Sequence, residues 1–317
     1  MKLFYFVILF FFITLMGCKN KPTEPTSTEP GKILFSKGTN VDRDIFMINP
    51  DGTGLTPIIQ WVGSVERTPH VSPDGTKLAF ISNKTGADQI WVANIDGSNS
   101  YRVTHATLGE NWNLSWHPNS QYLIYDDATS NTDSRVCKIK TDGTDFQVLI
   151  DHVGSCEFDV GSAIDPADSN HILYQLDRCW NPTHDVYNYN LQSQTEKLIL
   201  NGPSINAANS CYSWSPDGSK ILFFISNYSG FAMNGTNLYI MNSDSSNRHA
   251  ITSLTGTDGY YQSAWSPDGS KIVTNYYSSN FDDAHYLYIM NSDGSNRKLI
   301  YYSESENVSH PEWAIIH

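Results

Sequence analysis

Apolar and polar residues alternate in short runs along most of the chain downstream of residue 31. Residues 77–81 read Lys-Leu-Ala-Phe-Ile, and residues 89–94 read Gln-Ile-Trp-Val-Ala-Asn. Short runs with a period near two, rich in β-branched and aromatic residues, indicate β-strands. Asp-Gly pairs such as Asp96-Gly97 follow many runs and predict tight hairpins, because Gly adopts positive φ without steric cost. No helical periodicity follows residue 31, so the pattern predicts an all-β fold.

This pattern recurs at a nearly constant interval. Ser-Pro-Asp-Gly occurs at residues 72–75, 215–218 and 266–269, and weaker copies surround Pro118 and Pro166. The spacing from one Pro to the next is 45, 48, 50 and 51 residues. Four short runs fit into each interval, which is typical of a β-propeller blade.

The two ends of the repeat region complement each other. The first repeat begins at Lys32 without its Trp-Ser-Pro run, and residues 310–316 supply only that run. The sequence therefore predicts a six-bladed β-propeller of four-stranded blades over residues 32–317, with the ring closed by the C-terminal strand. Such closure would remove an open sheet edge.

Two motifs carry a resemblance to a known family. Trp-Ser-Pro-Asp-Gly at residues 214–218 and 265–269, with Ile-Met-Asn-Ser-Asp-Gly-Ser at residues 289–295, resembles the repeat of TolB-type (WD40-like) β-propellers. The Gly-His and Trp-Asp pairs of true WD repeats do not occur. The resemblance implies a six-bladed, envelope-located, non-catalytic interaction scaffold. The α/β domain that precedes the TolB propeller is not recognisable here, so the specific role of TolB is not implied.

The N-terminus predicts export and a lipid anchor. Residues 1–17 combine Lys2 with an apolar run that is too short for a comfortable membrane span and fits a lipoprotein signal peptide. Leu15-Met-Gly-Cys18 resembles a bacterial lipobox, which predicts lipidation of Cys18. Residues 18–31 add a tether rich in Pro, Thr and Glu. Lys19 after the Cys predicts outer-membrane sorting, facing the periplasm or the cell surface, if the cell has two membranes.

The charge and composition of the chain argue against nucleic-acid binding and against disorder. The 317 residues include 20 Lys plus Arg and 33 Asp plus Glu, a net charge of −13. Nucleic-acid binding depends on neutralising phosphates, so an acidic chain without a basic block is not expected to bind DNA or RNA. Hydrophobic residues make up 39% and aromatic residues 13% of the chain, which excludes a disordered polymer.

Strand alternation sorts the loops onto two faces. The Pro-Asp-Gly and Asp-Gly turns fall on one side, the short-turn face, and the loops between second and third strands fall with the inter-blade loops on the other, the long-loop face. Binding residues more often lie on loops held by a rigid scaffold. The long-loop face is predicted to carry an aromatic and acidic binding rim made of Trp61, Glu66, Glu110, Trp112, Glu157, Asp159, Trp180, Tyr260, Tyr261, Asp282 and Asp283. In contrast, Trp116, Trp214, Trp265 and Trp313 are expected to pack between sheets.

Candidate chemistry elsewhere is sparse. Export permits disulfides, and Cys156, Cys179 and Cys211 are the candidates, paired as Cys156–Cys179 or Cys179–Cys211, with buried free thiols as the alternative. His184, His285 and His310 are weak candidates for a divalent metal site on the long-loop face. No nucleophile elbow, zincin motif or nucleotide fingerprint occurs, so no catalytic residue and no cofactor are predicted.

The sequence thus favours a non-catalytic, lipid-anchored scaffold that binds an envelope protein through its long-loop face. One alternative is a carbohydrate binder that uses Trp61, Trp112 and Trp180. Another is a metal-dependent polysaccharide lyase or hydrolase, which rests on analogy between folds.

Overall fold

In the residues that the computed structural model describes, every element is a β-strand. The described residues are 31–105, 113–130, 133–151, 157–178, 181–201, 212–229, 232–278 and 284–316. The strands are β1 (Lys32–Gly38), β2 (Arg43–Ile48), β3 (Thr56–Ile59), β4 (Glu66–Val71), β5 (Lys77–Ser82), β6 (Gln89–Asn94), β7 (Tyr101–Arg102), β8 (Leu114–Trp116), β9 (Tyr122–Ser130), β10 (Asp133–Lys140), β11 (Gln147–Asp151), β12 (Glu157–Ile164), β13 (His171–Arg178), β14 (Asn181–Asn190), β15 (Thr195–Leu200), β16 (Ser213–Trp214), β17 (Lys220–Ser229), β18 (Ala232–Asn242), β19 (His249–Ala250), β20 (Gly259–Trp265), β21 (Lys271–Ser278), β22 (Ala284–Asn291), β23 (Lys298–Ser303) and β24 (Asn307–Ala314).

These strands form four hydrogen-bonded sheets. Two sheets have four strands, in the orders β24-β1-β2-β3 and β4-β5-β6-β7. Two have eight strands, and each consists of two consecutive groups of four. A single parallel bridge joins the groups in each case, Ser134 with Phe158 and Thr236 with Gly259.

The all-β propeller class is confirmed, but the predicted six separate blades are wrong: the described chain has four sheets. The repeat spacing counts sequence units, and it cannot show that a bridge between neighbouring units will merge two of them into one sheet. The predicted ring closure is also corrected. Strand β24 pairs with β1 from Lys32↔Ala314 to Gly38↔Asn307, as the edge strand of the first sheet. This pairing brings both ends of the described chain into one sheet, but it does not establish a closed ring.

The repeated Trp residues are buried between neighbouring repeats, as the sequence predicts. Trp116, Trp214, Trp265 and Trp313 are between 4% and 7% exposed. Three of the indole N–H groups donate to a backbone carbonyl about one repeat upstream. These bonds run from Trp116 to His70 (2.8 Å), from Trp214 to Ala163 (3.1 Å) and from Trp265 to Ser213 (3.1 Å). Each of these side chains therefore ties its own repeat to the preceding one.

The Ser-Pro-Asp-Gly turns close on themselves through side chains. Ser215 Oγ donates to Asp217 Oδ1 (2.6 Å) and accepts from the Lys220 N–H (2.9 Å). The same two bonds recur at Ser72 and Ser266. Gly218 follows the Asp at φ 69°, in the left-handed region that a residue with a Cβ adopts at a cost. The motif is thus a self-contained turn, which explains its recurrence.

Candidate functional site

The two classes of long loop meet on one face of the described chain. Loops between second and third strands bond directly to the segments that connect neighbouring repeats. The bonds run from the Gly63 N–H to Asp42 Oδ1 (3.0 Å), from the Val65 N–H to Asn83 Oδ1 (2.8 Å) and from Asn307 Nδ2 to Asn40 Oδ1 (3.0 Å). In this part of the molecule the two classes of loop therefore share one face, and hydrogen bonds between them hold the loops in place.

Trp61 is the centre of an aromatic cluster on this face. Its ring lies 4.9 Å from the ring of Trp91 and 5.4 Å from that of Phe80, measured between centroids. The Lys84 ammonium lies 3.6 Å from the centroid of the Trp61 ring, a cation–π contact. Trp61 remains half-buried, while its neighbour Val62 is fully exposed. The packing on Phe80 and Trp91 fixes the orientation of the Trp61 ring.

Glu66 lies inside the second sheet. It is fully buried at the start of β4, where Oε1 accepts a hydrogen bond of 2.7 Å from Ser82 Oγ. Oε2 is buried without a hydrogen-bond partner. Burial, followed by the nearby negative charge of Asp44, raises the pKa of this carboxyl above its ordinary value. Glu66 therefore cannot contact a ligand at the surface.

Tyr260 is also internal, whereas Tyr261 is partly accessible. Tyr260 is 2% exposed, and its hydroxyl is hydrogen-bonded to the Arg297 guanidinium. Tyr261 packs edge-on against Phe224, with ring centroids 5.7 Å apart. Of the two adjacent tyrosines, only Tyr261 is placed to contribute to a rim.

Glu66 and Tyr260 belong to strands, not to the inter-blade loops to which the sequence pattern assigned them. A β-bulge follows each of them. The register shifts between Arg67 and His70 in β4, and between Tyr260 and Ser263 in β20. A bulge adds one residue to one strand, so side chains on its two sides no longer follow a single alternation. Thr68, inside the first bulge, has a φ of 54°. Simple alternation through β4 or β20 therefore does not predict which of their side chains are buried.

Several predicted residues lie outside the described part of the chain. These are Cys18, Glu110, Trp112, Cys156, Cys179, Trp180, Cys211, Asp282 and Asp283. The backbone of Glu157 and Asp159 belongs to β12, opposite Arg178 and Leu176 of β13. The disulfide pairing and most of the predicted acidic rim stay predictions. Within the described residues Cys137 is a buried free thiol, whose pKa burial raises to about 12.

The weak metal candidates have unlike surroundings. His184 belongs to β14, and the His285 ring lies 5.3 Å from that of Tyr277. His310 in β24 lies near Arg67, Arg43 and His70, and burial together with these groups lowers its pKa to about 3. A cationic neighbourhood opposes metal binding at His310. No group of three His, Cys, Asp or Glu side chains suited to a metal occurs within the described ranges.

Sequence reasoning missed a polar network between β4 and β24. His70 Nδ1 is hydrogen-bonded to a carboxylate oxygen of Glu312, whose other oxygen accepts a bond of 2.7 Å from the Val71 N–H. These residues lie about 240 positions apart in the chain, and only the pairing of repeats brings them together. No local sequence motif predicts this contact.

A cleft of about 330 Å³ lies on the opposite, short-turn face. It is lined by two successive turns, including Pro216, Asp217, Lys220, Trp265 and Asp268. Hydrogen bonds, that from the Ser215 hydroxyl first, lower the pKa of Asp217 to about 2. The Asp217 carboxylate accepts hydrogen bonds from its own turn and stays ionised near pH 7. It therefore stabilises the turn and is not suited to proton transfer in the cleft.

Sequence comparison reaches part of the chain. No family model matches it. A segment of 72 residues, 23% of the chain, is 31% identical to a TolB homologue of Chlorobium luteolum and spans 16% of that protein. A segment of 97 residues, 27% of the chain, is 32% identical to an uncharacterized protein of Agrobacterium fabrum and spans 31% of it. The chain thus aligns with less than a third of either relative.

No helix within the described residues is both long and apolar enough to cross a membrane.

Structural comparison covers nearly the whole fold. TolB from Acinetobacter baumannii superposes with a TM-score of 0.72 at 18% identity, over 90% of this chain and 66% of that one. A TolB candidate from Agrobacterium tumefaciens superposes with a TM-score of 0.66 at 17% identity, over 90% of this chain and 99% of that one. A chain of a nidogen/laminin complex superposes with a TM-score of 0.65 at 13% identity, over 90% of this chain and 98% of that one. The resemblance to TolB-type β-propellers that the repeats indicate is thereby confirmed as a likeness of fold.

Proposed function

We propose that this protein is a non-catalytic scaffold of the cell envelope that binds a protein partner through its long-loop face. The export signal and the lipobox at Cys18 would hold it at a membrane, with residues 19–31 as the tether. The fold shared with TolB proteins supports a binding role and an envelope location. A chain of a nidogen/laminin complex has a similar fold and is part of a protein complex.

An exposed apolar patch carries the proposal. Val41 is 74% exposed and Val62 fully exposed, and they lie on two different loops. The Gly63 N–H bond to Asp42 holds those loops together, and the half-buried Trp61 is adjacent. A braced patch of valines beside a fixed Trp is typical of protein interfaces, where aromatic anchors contribute most of the affinity.

The same cluster favours a protein over a sugar at Trp61. Sugar rings stack on open aromatic faces, but the Lys84 ammonium covers one face of the Trp61 ring. A sugar would have to displace this contact, whereas a protein surface can pack around it.

The partner is best sought by crosslinking the tagged protein in the cells that make it and identifying captured proteins by mass spectrometry. The test variant is Val41→Asp with Val62→Asp. The matched control is Leu55→Asp, an exposed apolar residue in the β2–β3 turn on the opposite face. We expect one dominant envelope protein with the wild type and the control, and its loss with the test variant. Equal capture by all three would contradict binding through this face.

The anchor requires its own experiment. Cys18→Ser should abolish incorporation of a labelled fatty acid and release the protein from membranes. Unchanged incorporation and membrane retention would contradict lipidation at this residue.

A further inference from the structure

Four basic side chains converge where β2, β4 and β24 meet. Arg43 begins β2, Arg67 and His70 belong to β4, and His310 belongs to β24. The Arg43 N–H donates to the Ser64 carbonyl (3.0 Å), which fixes the start of β2 beside β4. Both arginines and His70 lie close enough to His310 to affect its protonation.

Arg43 is short of partners. Its two terminal nitrogens make long hydrogen bonds to neutral oxygens, 3.4 Å to Ser309 Oγ and 3.3 Å to Asn40 Oδ1. Its Nε is buried and has no hydrogen-bond partner. Within the described ranges no carboxylate forms an ion pair with it. A buried guanidinium N–H without an acceptor costs free energy, which a bound anion would recover.

The neighbouring charges are largely compensated. Arg67 pairs with Asp88, with a second contact of 3.4 Å between NH1 and Oδ1. His70 is bonded to Glu312. His310 is neutral near pH 7, so Arg43 is the charged basic group of this cluster without a carboxylate partner in the described ranges. A monoanion complements it, and a phosphate dianion would leave an excess of negative charge.

Neutral hydrogen-bonding groups lie beside this charge. His310 Nδ1 is bonded to Ser309 Oγ (3.0 Å), the hydroxyl that also accepts from Arg43. Thr68, next to Arg67, is 5% exposed, and its hydroxyl has no partner. Thr68 and His310 both have positive φ, at 54° and 52°, a conformation that persists only where the surroundings enforce it.

We propose that Arg43, with His310 and Ser309 beside it, binds the carboxylate group of an anionic ligand. Arginine suits this role because its planar guanidinium donates two parallel hydrogen bonds to a carboxylate. This proposal does not depend on protein binding at the Val41 and Val62 patch. The two are tested with different variants and can fail separately.

The test is a titration of the full chain followed by the side-chain NMR resonances of His310, at pH 7.5 and low chloride. The probes are acetate for a free acid, blocked glutamate for a carboxylate on a polypeptide, acetamide as the uncharged control, and inorganic phosphate. Variants are Arg43→Gln, Arg43→Lys and, as a matched control, Arg248→Gln, which removes an exposed arginine elsewhere.

We expect saturable shifts with the carboxylates, none with acetamide, and no tighter binding of phosphate. Arg43→Gln should weaken carboxylate binding by about 10-fold or more. Arg43→Lys keeps the charge but loses the paired donors, so its affinity should lie between those of the wild type and Arg43→Gln. An intermediate affinity would also show that the loss in Arg43→Gln does not come from misfolding. Arg248→Gln should bind like the wild type. The tighter of the two carboxylate probes identifies the source of the ligand. No saturable response to a carboxylate, tighter binding of phosphate, or wild-type affinity in Arg43→Gln would overturn the proposal.

Discussion

The two faces of this molecule are built from the same repeats but in opposite ways. On the short-turn face, Ser72, Ser215 and Ser266 make the same two hydrogen bonds to their turns. On the long-loop face a backbone bond recurs, from the Arg43 N–H to the Ser64 carbonyl and from the Thr236 N–H to the Asp258 carbonyl. Side-chain contacts such as that of Gly63 with Asp42 vary more from repeat to repeat. Hydrogen bonds that recur from repeat to repeat stabilise the fold that the repeats share. Features specific to the ligand are therefore expected among the contacts that do not recur.

The largest effect is expected from removing a repeated Trp. Trp265 is 5% exposed and donates to the Ser213 carbonyl, so Trp265→Ala should leave a cavity and lose this bond. We expect a loss of about 3–5 kcal/mol in the free energy of unfolding, measured by urea denaturation. A loss below about 1 kcal/mol would mean that the Trp does not hold adjacent repeats together.

The next largest effect should appear in binding. Trp61→Ala removes the anchor of the long-loop face, and we expect captured partner to fall by about 10-fold or more in the crosslinking experiment. Tyr101→Ala, which removes an aromatic residue that is 40% exposed on β7, serves as the control and should capture normally. If both variants lose the partner equally, aromatic content rather than position would be responsible.

A smaller loss of stability is expected on the short-turn face. Ser215→Ala leaves the Lys220 N–H without its acceptor of 2.9 Å. The free energy of unfolding should fall by about 1–2 kcal/mol, with partner capture unchanged. Thermal melting and crosslinking of the same preparation measure both quantities. A loss of capture at full stability would assign binding to the short-turn face instead.

The faces should also differ in how their stability depends on pH. Burial, then Arg67, Arg43 and His70, lower the pKa of His310 to about 3, whereas an unfolded His titrates near 6.5. Between these values the unfolded chain binds a proton that the native chain does not. Stability should therefore fall as the pH drops from 6.5 towards 3, by up to about 1.4 kcal/mol per pH unit.

The turn carboxylates act in a lower range. The pKa of Asp217 is lowered to about 2, so its stabilisation is complete above its ordinary value of 3.8 and is lost as the pH falls towards 2. His310→Gln should flatten the dependence between pH 6.5 and 4, and Asp217→Asn should alter it only below 4. Urea denaturation at stepped pH tests this, and identical wild-type and His310→Gln profiles would refute the assignment.

The fold was largely predictable because its determinants are local. The Asp-Gly turns need positive φ at Gly, and Gly97, Gly143 and Gly294 each have φ 83°. The repeated Trp residues are buried as expected. The number of sheets was not predictable, because one bridge such as Thr236 with Gly259 merges two repeats.

The candidate site was less predictable because its determinants are not local. Glu66 and Tyr260, predicted to lie in inter-blade loops, belong to strands β4 and β20 and are buried. The convergence of Arg43, Arg67 and His310 depends on the pairing of β24 with β1, across most of the chain. No pattern within one repeat encodes it.

The most direct test of the contrast between the faces places a photo-crosslinking amino acid at Val62 or at Leu55. Both residues are exposed and apolar, and they lie on opposite faces. We expect the probe at position 62 to capture one specific envelope protein and the probe at position 55 to capture none. Specific capture at position 55 with none at position 62 would contradict this expectation.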